Sequence, residues 1–124
     1  PLRILLAETA TLGATVVLTT DHGAIRVKNG VTIAGERETN VSLRYKLGRN
    51  LGYDPSRVFD ILHPENCGLP APHMSTRYLF ALNSDLLAFP NNYHQYLSRF
   101  ENSYQHGGVS MEEMLIPLVT LIPK

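Results

Sequence analysis

Two histidine motifs carry the residue types best suited to chemistry. The first is Asp21-His22-Gly23, directly after a β-branched apolar run. The second is His106-Gly107-Gly108, 84 residues beyond His22 and followed by Ser110-Met-Glu-Glu113. Carboxylate oxygen and imidazole nitrogen are both good zinc donors, with bonds near ~2.0–2.2 Å. Neighbours on a regular strand point to opposite faces, so Asp21 and His22 reach one ion only where the chain leaves strand geometry. Gly23 makes that departure inexpensive, and the glycines after His106 let the backbone approach a ligand or another segment. A helix N-terminus just beyond them favours anions. Read singly, each motif also fits a plain turn with an incidental histidine. Together they say more: a histidine 84 residues beyond the first and embedded in His-Gly-Gly-x-Ser-x-x-Glu is a more specific signal than either motif alone.

The elements that must position them follow from periodicity. Leu2, Leu5, Leu6, Thr9 and Leu12 predict a helix over about 2–12, closed by Gly13. The run 14–20 reads as a buried strand. Helix, short link and buried strand belong to an α/β sheet, where ligands collect beyond the carboxyl ends of strands. Asn29-Gly30 between 24–28 and 31–34 predicts a tight hairpin. The polar stretch 36–50 contains alternating Leu43, Tyr45 and Leu47, either a short strand or irregular chain. Residues 57–62 read as a strand, and proline-rich 63–73 as a loop. A second pair of strands is expected at 78–82 and 86–89, around Asn83-Ser84-Asp85. Pro90-Asn91-Asn92 opens a helix whose stripe is Tyr93, Tyr96, Leu97, Phe100 and Tyr104, read as core rather than as a substrate platform. Ser110 to Glu113 form a capping box, Pro117 keeps that helix short, and 118–122 is a last strand. No repeat and no domain boundary is visible.

Composition narrows the partners. A chain of 124 residues builds one modest core. Its 11 basic and 11 acidic residues balance, giving no electrostatic case for general binding to nucleic acid or a membrane surface. The apolar runs are too short to cross a bilayer, and no signal-peptide pattern is present. Cys67 is the single cysteine, so no internal disulfide can form, in keeping with a cytoplasmic setting. Arg26, Lys28, Arg44 and Lys46 form either a solvated basic face or, near the site, partners for phosphate oxygens. His63, His73, His94 and Cys67 read as surface or loop residues.

Thr19-Thr20-Asp21-His22-Gly23, together with Gln105-His106-Gly107-Gly108 and the run through Ser110, Glu112, Glu113 and Ile116-Pro117, resembles the PglZ-type branch of the alkaline phosphatase superfamily. Residues 21–28, 40–48 with Arg44-Tyr45-Lys46, and 104–117 are similar to the C-terminal effector region of PorX-type two-component response regulators. The resemblance implies an α/β fold, the C-terminal portion of an alkaline-phosphatase-like domain with a sheet flanked by helices. It implies two zinc ions and an alkoxide nucleophile. Asp21 and His22 would bind the ion that activates the nucleophile, and His106 the other. The family's nucleophile, a further aspartate ligand and an Asp-x-x-x-His pair lie before the Asp-His motif. Only 20 residues precede Asp21, and Asp-x-x-x-His occurs nowhere in the chain.

No catalytic residue is therefore assigned in this chain. Residues 1–124 read as part of a longer protein whose receiver domain and N-terminal catalytic half are absent. The dinuclear site is expected to be incomplete and the chain alone inactive. The implied parent is a zinc-dependent phosphatase or phosphodiesterase acting on a phosphoester, possibly of oligonucleotide type, as a signalling output linked to type IX secretion. The alternative is a non-catalytic regulatory module with a vestigial metal site, contacting a sigma factor or sensor kinase. A truncated sheet leaves an open edge or a bare apolar face, so self-association into a homo-oligomer is expected.

Overall fold

A computed structural model describes residues 1–35 and 42–124. The part of the polar stretch at 36–41, with Asn40 of the family resemblance, lies outside the described residues. The elements are α1 (Leu2–Thr11), β1 (Val16–Thr19), β2 (Ile25–Arg26), β3 (Asn29–Thr32), β4 (Tyr45–Gly48), β5 (Val58–Ile61), β6 (Arg77–Ala81), β7 (Asp85–Ala88), α2 (Tyr93–Phe100), β8 (Tyr104–Gln105), α3 (Met111–Met114) and β9 (Leu118–Leu121). Among the described residues the strands form four small sheets: β1–β9, β2–β8, β3–β7 and β4–β6–β5. The β3–β7 pair is parallel and the others are antiparallel. The class is mixed α/β, with several ribbons where one sheet flanked by helices was expected. No helix among the described residues is long and apolar enough to cross a membrane.

The core is organised on β7, which is buried at every residue. Alternation along a strand sends Leu86 and Ala88 to one face and Leu87 to the other. Leu86 and Ala88 join Val27 and Leu43, and Tyr93, Tyr96, Leu97 and Phe100 pack against them from α2 and its start. Leu87 joins Val31, Ile33, Val58 and Leu79. A strand covered on both faces accounts for the uninterrupted apolar run at 86–88.

Four expectations need correction. Asn29-Gly30 is not a hairpin turn, because both residues lie within β3, in register with Asp85 and Leu86. Gly30 serves close approach: a Cβ there would sit 2.7 Å from the Tyr93 ring. Long-range pairing that buries Val31 and Ile33 overrides the local turn preference. The strands expected around Asn83-Ser84-Asp85 exist but do not pair with each other. Asn83, at φ 45°, turns the chain so that β6 joins β4 and β5 while β7 joins β3. Tyr104 leaves the aromatic stripe, since α2 ends at Phe100, Asn102 takes φ 64°, and Tyr104 falls in β8 at 72% exposure. Finally, β1 is a strand but not a buried one: three of its four residues are exposed. Its partner β9 is exposed throughout, and α1 buries none of its residues. Apolar patterning marks a surface suited to burial, and no covering layer for these elements is present among the described residues.

Candidate metal centre

Local strand pairing brings the two motifs together. Ile25 pairs with Gln105 and Arg26 with Tyr104. Continuing this antiparallel register sets the segment 22–24 beside 106–108. The imidazoles of His22 and His106 stack, with ring centroids 3.7 Å apart and planes inclined by 11°. His22 Nε2 lies 3.7 Å from Asp21 Oδ1. His22 and His106 thus meet at a solvent-facing surface, where Asp21 keeps 91% and His22 42% of its side-chain exposure.

The donors can be tested against a metal. His22 Nδ1 lies 2.8 Å from the Gly23 carbonyl oxygen. A carbonyl only accepts, so Nδ1 carries the proton, and in the neutral ring the lone pair is on Nε2, beside Asp21. Two donors on one tetrahedral ion stand roughly 3.4 Å apart, given bonds of about 2.0–2.2 Å. The Asp21–His22 spacing is close to that, so the pair fits a shared ion. The lone pair of an imidazole lies in the ring plane. Near-parallel rings therefore do not aim at a common point, and among the described residues no three His, Cys, Asp or Glu groups gather as ligands of one ion.

A buried ion pair supports this exposed site. Gly23 N–H donates to the Glu113 carbonyl at 2.9 Å. A Cβ on Gly23 would overlap the Glu112 carbonyl, so only glycine allows the approach. Each oxygen of the Glu113 carboxylate accepts one guanidinium and one backbone N–H. Oε1 takes Arg44 Nε and Gly108 N, both at 2.9 Å. Oε2 takes Arg44 Nη2 at 3.0 Å and Ser110 N at 3.3 Å. Glu113 thus holds the His106 loop through its side chain and the Asp21-His22 segment through its main chain. Burial alone would raise its pKa. The hydrogen bonds from Arg44, Ser110 and Gly108, with the Arg44 charge, outweigh burial and keep it below the ordinary carboxylate value.

The basic residues divide. Arg44 is fully buried, and its guanidinium also donates to the Asp85 and Ala81 carbonyls, so it is neither a solvated face nor turned toward a substrate. Lys46 is buried too. Its Nζ donates to the Ser42 carbonyl at 2.6 Å and lies 4.9 Å from the Phe89 ring centre, and burial lowers its pKa to about 8. Arg26 and Lys28 are exposed, and Arg26 Nε donates to the Asn102 carbonyl at 3.1 Å. His63, His73, His94 and Cys67 lie on the surface.

Sequence reasoning found the Glu113 side chain reaching back to Ser110 but missed its pairing with Arg44, 69 residues upstream, because a single charge carries no spacing signal. It also missed a cavity of about 790 Å³ beside His106, where α2, the chain entering β4 and the 105–107 segment meet.

The frame and site define a mixed α/β domain with an Asp-His/His pair at the end of a strand. A family model for the BREX system PglZ alkaline phosphatase-like domain matches residues 2–121, and the chain belongs to that family. No curated protein matches it.

Proposed function

We propose that this chain contributes Asp21, His22 and His106 to the two-metal centre of a phosphoester hydrolase of phosphatase or phosphodiesterase type. The observation that carries the reading is the parallel stack of His22 on His106 at 3.7 Å, with the His22 tautomer set by Gly23. Zinc suits these donors, and two such ions would stabilise charge on the entering and leaving oxygens of an in-line displacement. Asp21 and His22 orient one side of the centre and His106 the other. The Arg44–Glu113 pair holds the two backbones that carry them. The nucleophile and remaining ligands come from outside residues 1–124. The family match supports the phosphoesterase-like fold. Placement in a cytoplasmic PorX-like response regulator serving type IX secretion is the finer form of this proposal and rests on the motif resemblance. In the parent protein, His106→Ala should abolish hydrolysis of bis(4-nitrophenyl) phosphate while leaving the thermal unfolding midpoint in place. Retained turnover would overturn the assignment.

The exposed apolar residues of α1 and β9 favour a second reading, a regulatory binding module. Such surfaces would dock a sigma factor, a sensor kinase or a second copy of the chain. A monomer by light scattering at high concentration would remove the self-association form of this reading.

A further inference from the structure

We infer that the exposed face of the β2–β8 ribbon holds an anion subsite, built on Arg26 and Tyr104, for a second acidic group of the substrate handled at His22 and His106. It rests on the phosphoester reading above and adds a specificity-determining residue to it. Burial alternates along both strands. Ala24, Arg26 and Lys28 are exposed, while Ile25 is half-buried and Val27 buried. On the facing strand Tyr104 and His106 are exposed and Gln105 is half-buried. Residues two apart on a strand share a face. Arg26 is the direct partner of Tyr104, and the same register continued sets Ala24 beside His106. The solvent side of the ribbon therefore presents His106, then the Tyr104–Arg26 pair, then Lys28, in steps of about 7 Å. His22, stacked on His106, stands at the head of this row.

The Arg26 guanidinium is held in position. Its Nε donates to the Asn102 carbonyl at 3.1 Å. Asn102 takes φ 64°, and its N–H donates to the Val27 carbonyl at 2.8 Å, so the turn after α2 is tied to β2 and aims this carbonyl at Arg26. Asn102 lies beyond Tyr104 on the side away from His106. The guanidinium therefore leans off the histidines, toward a group farther along the row than the reacting phosphoryl group. Its two terminal nitrogens have no partner among the described residues. With Nε occupied, they form a fork that matches two oxygens of a carboxylate or phosphate. Tyr104, 72% exposed, offers an apolar ring for the part of the substrate that joins its two acidic groups. A phosphoester without a second anion would leave the fork empty. Because the chain has no net charge, affinity must arise at such a local site.

Two measurements test it. In the parent protein, 4-carboxyphenyl phosphate carries the second anion, and 4-carbamoylphenyl phosphate has the same shape without the charge. The wild type should favour the carboxylate ester by about tenfold in kcat/KM, the scale of one charge-assisted hydrogen bond. Arg26→Gln, at an exposed residue with little risk to folding, should remove that preference. Arg26→Lys should restore only part of it, because an ammonium lacks the fork. In the chain alone, with chelator present, benzoate and phenylphosphonate should shift the Arg26 Nε–H and Tyr104 amide resonances, and benzamide should not. The tighter of the two anions then tells whether a carboxylate or a phosphate is the preferred group. Equal handling of the two esters, or anion shifts remote from Arg26, overturn the subsite. If the esters are not distinguished while His106→Ala still abolishes turnover, only the subsite is lost. If the parent hydrolyses no phosphoester, the hydrolase reading is lost, and anion binding at Arg26 in the chain alone decides the subsite.

Discussion

Strands β7 and β9 have the same length and opposite fates. Asp85-Leu-Leu-Ala88 is buried at all four residues, although it begins with a charge. Leu118-Val-Thr-Leu121 is exposed at all four, although it contains no charge. Each has a hydrogen-bonded partner strand, so pairing is not the difference. β7 has α2 over one face and the Leu79–Val58 cluster over the other, and its aspartate is met by Arg57 at 2.8 Å. Among the described residues β9 has only β1 paired beside it. A strand's residues state what it can bury, and layers above and below decide whether it does. The same contrast runs through the candidate site: the histidines face solvent while the Arg44–Glu113 pair that anchors them is sealed.

Breaking the sealed side should have the largest effect. Arg44→Ala leaves the Glu113 carboxylate buried without its counter-charge, and should cost about 3–5 kcal/mol in urea unfolding. Arg44→Lys should not restore it, since an ammonium cannot reproduce the fork to both oxygens. A loss under ~1 kcal/mol, the size of a surface pair, would show that the pair does not hold the site.

The strand comparison comes next. Leu87→Ala in β7 should cost about 2–5 kcal/mol, the usual range for a core leucine. Leu118→Ala in β9 should stay within about 0.5 kcal/mol, as for a surface change. Equal losses would mean that β9 is covered in solution. A smaller effect, about 1–3 kcal/mol of overpacking, is expected for Gly23→Ala, because the added methyl meets the Glu112 carbonyl. Nuclear Overhauser contacts between the His22 and His106 rings should vanish in that variant.

Acid supplies the mildest test. The pKa of Glu113 is depressed in the folded state, so its ionised form contributes stability that is present above the unfolded carboxylate pKa. That contribution is lost as pH falls through the lower folded value. Stability of the wild-type chain should therefore decline more steeply below about pH 4.3, the ordinary glutamate value, than that of Glu113→Gln. Parallel acid profiles would remove Glu113 from this role.

Much of the site was legible without coordinates, for identifiable reasons. Asp21-His22-Gly23 and His106-Gly107-Gly108 are short motifs whose chemistry resides in residue type, and type is what sequence displays. The helix over 2–12 and the ends of 57–62 and 118–122 were readable because backbone periodicity is local. The aromatic stripe was read as core, and Tyr93, Tyr96, Leu97 and Phe100 do pack, half-buried, against the cluster around Leu86, yet Tyr96 and Phe100 also wall the cavity. One side chain can present its two faces to different neighbours, and periodicity reports only one. Asn29-Gly30 misled because its preference for a turn is weaker than the burial gained by pairing β3 with β7.

Sequence by itself determined the elements, the donor types and the family to which the motifs point. Tertiary structure alone decided that β3 lies parallel to β7, that Arg44 is buried against Glu113, and that His22 stacks on His106. These contacts join residues 56, 69 and 84 positions apart. No local preference encodes such separations, because the free energy that selects them comes from burying the whole set of surfaces at once.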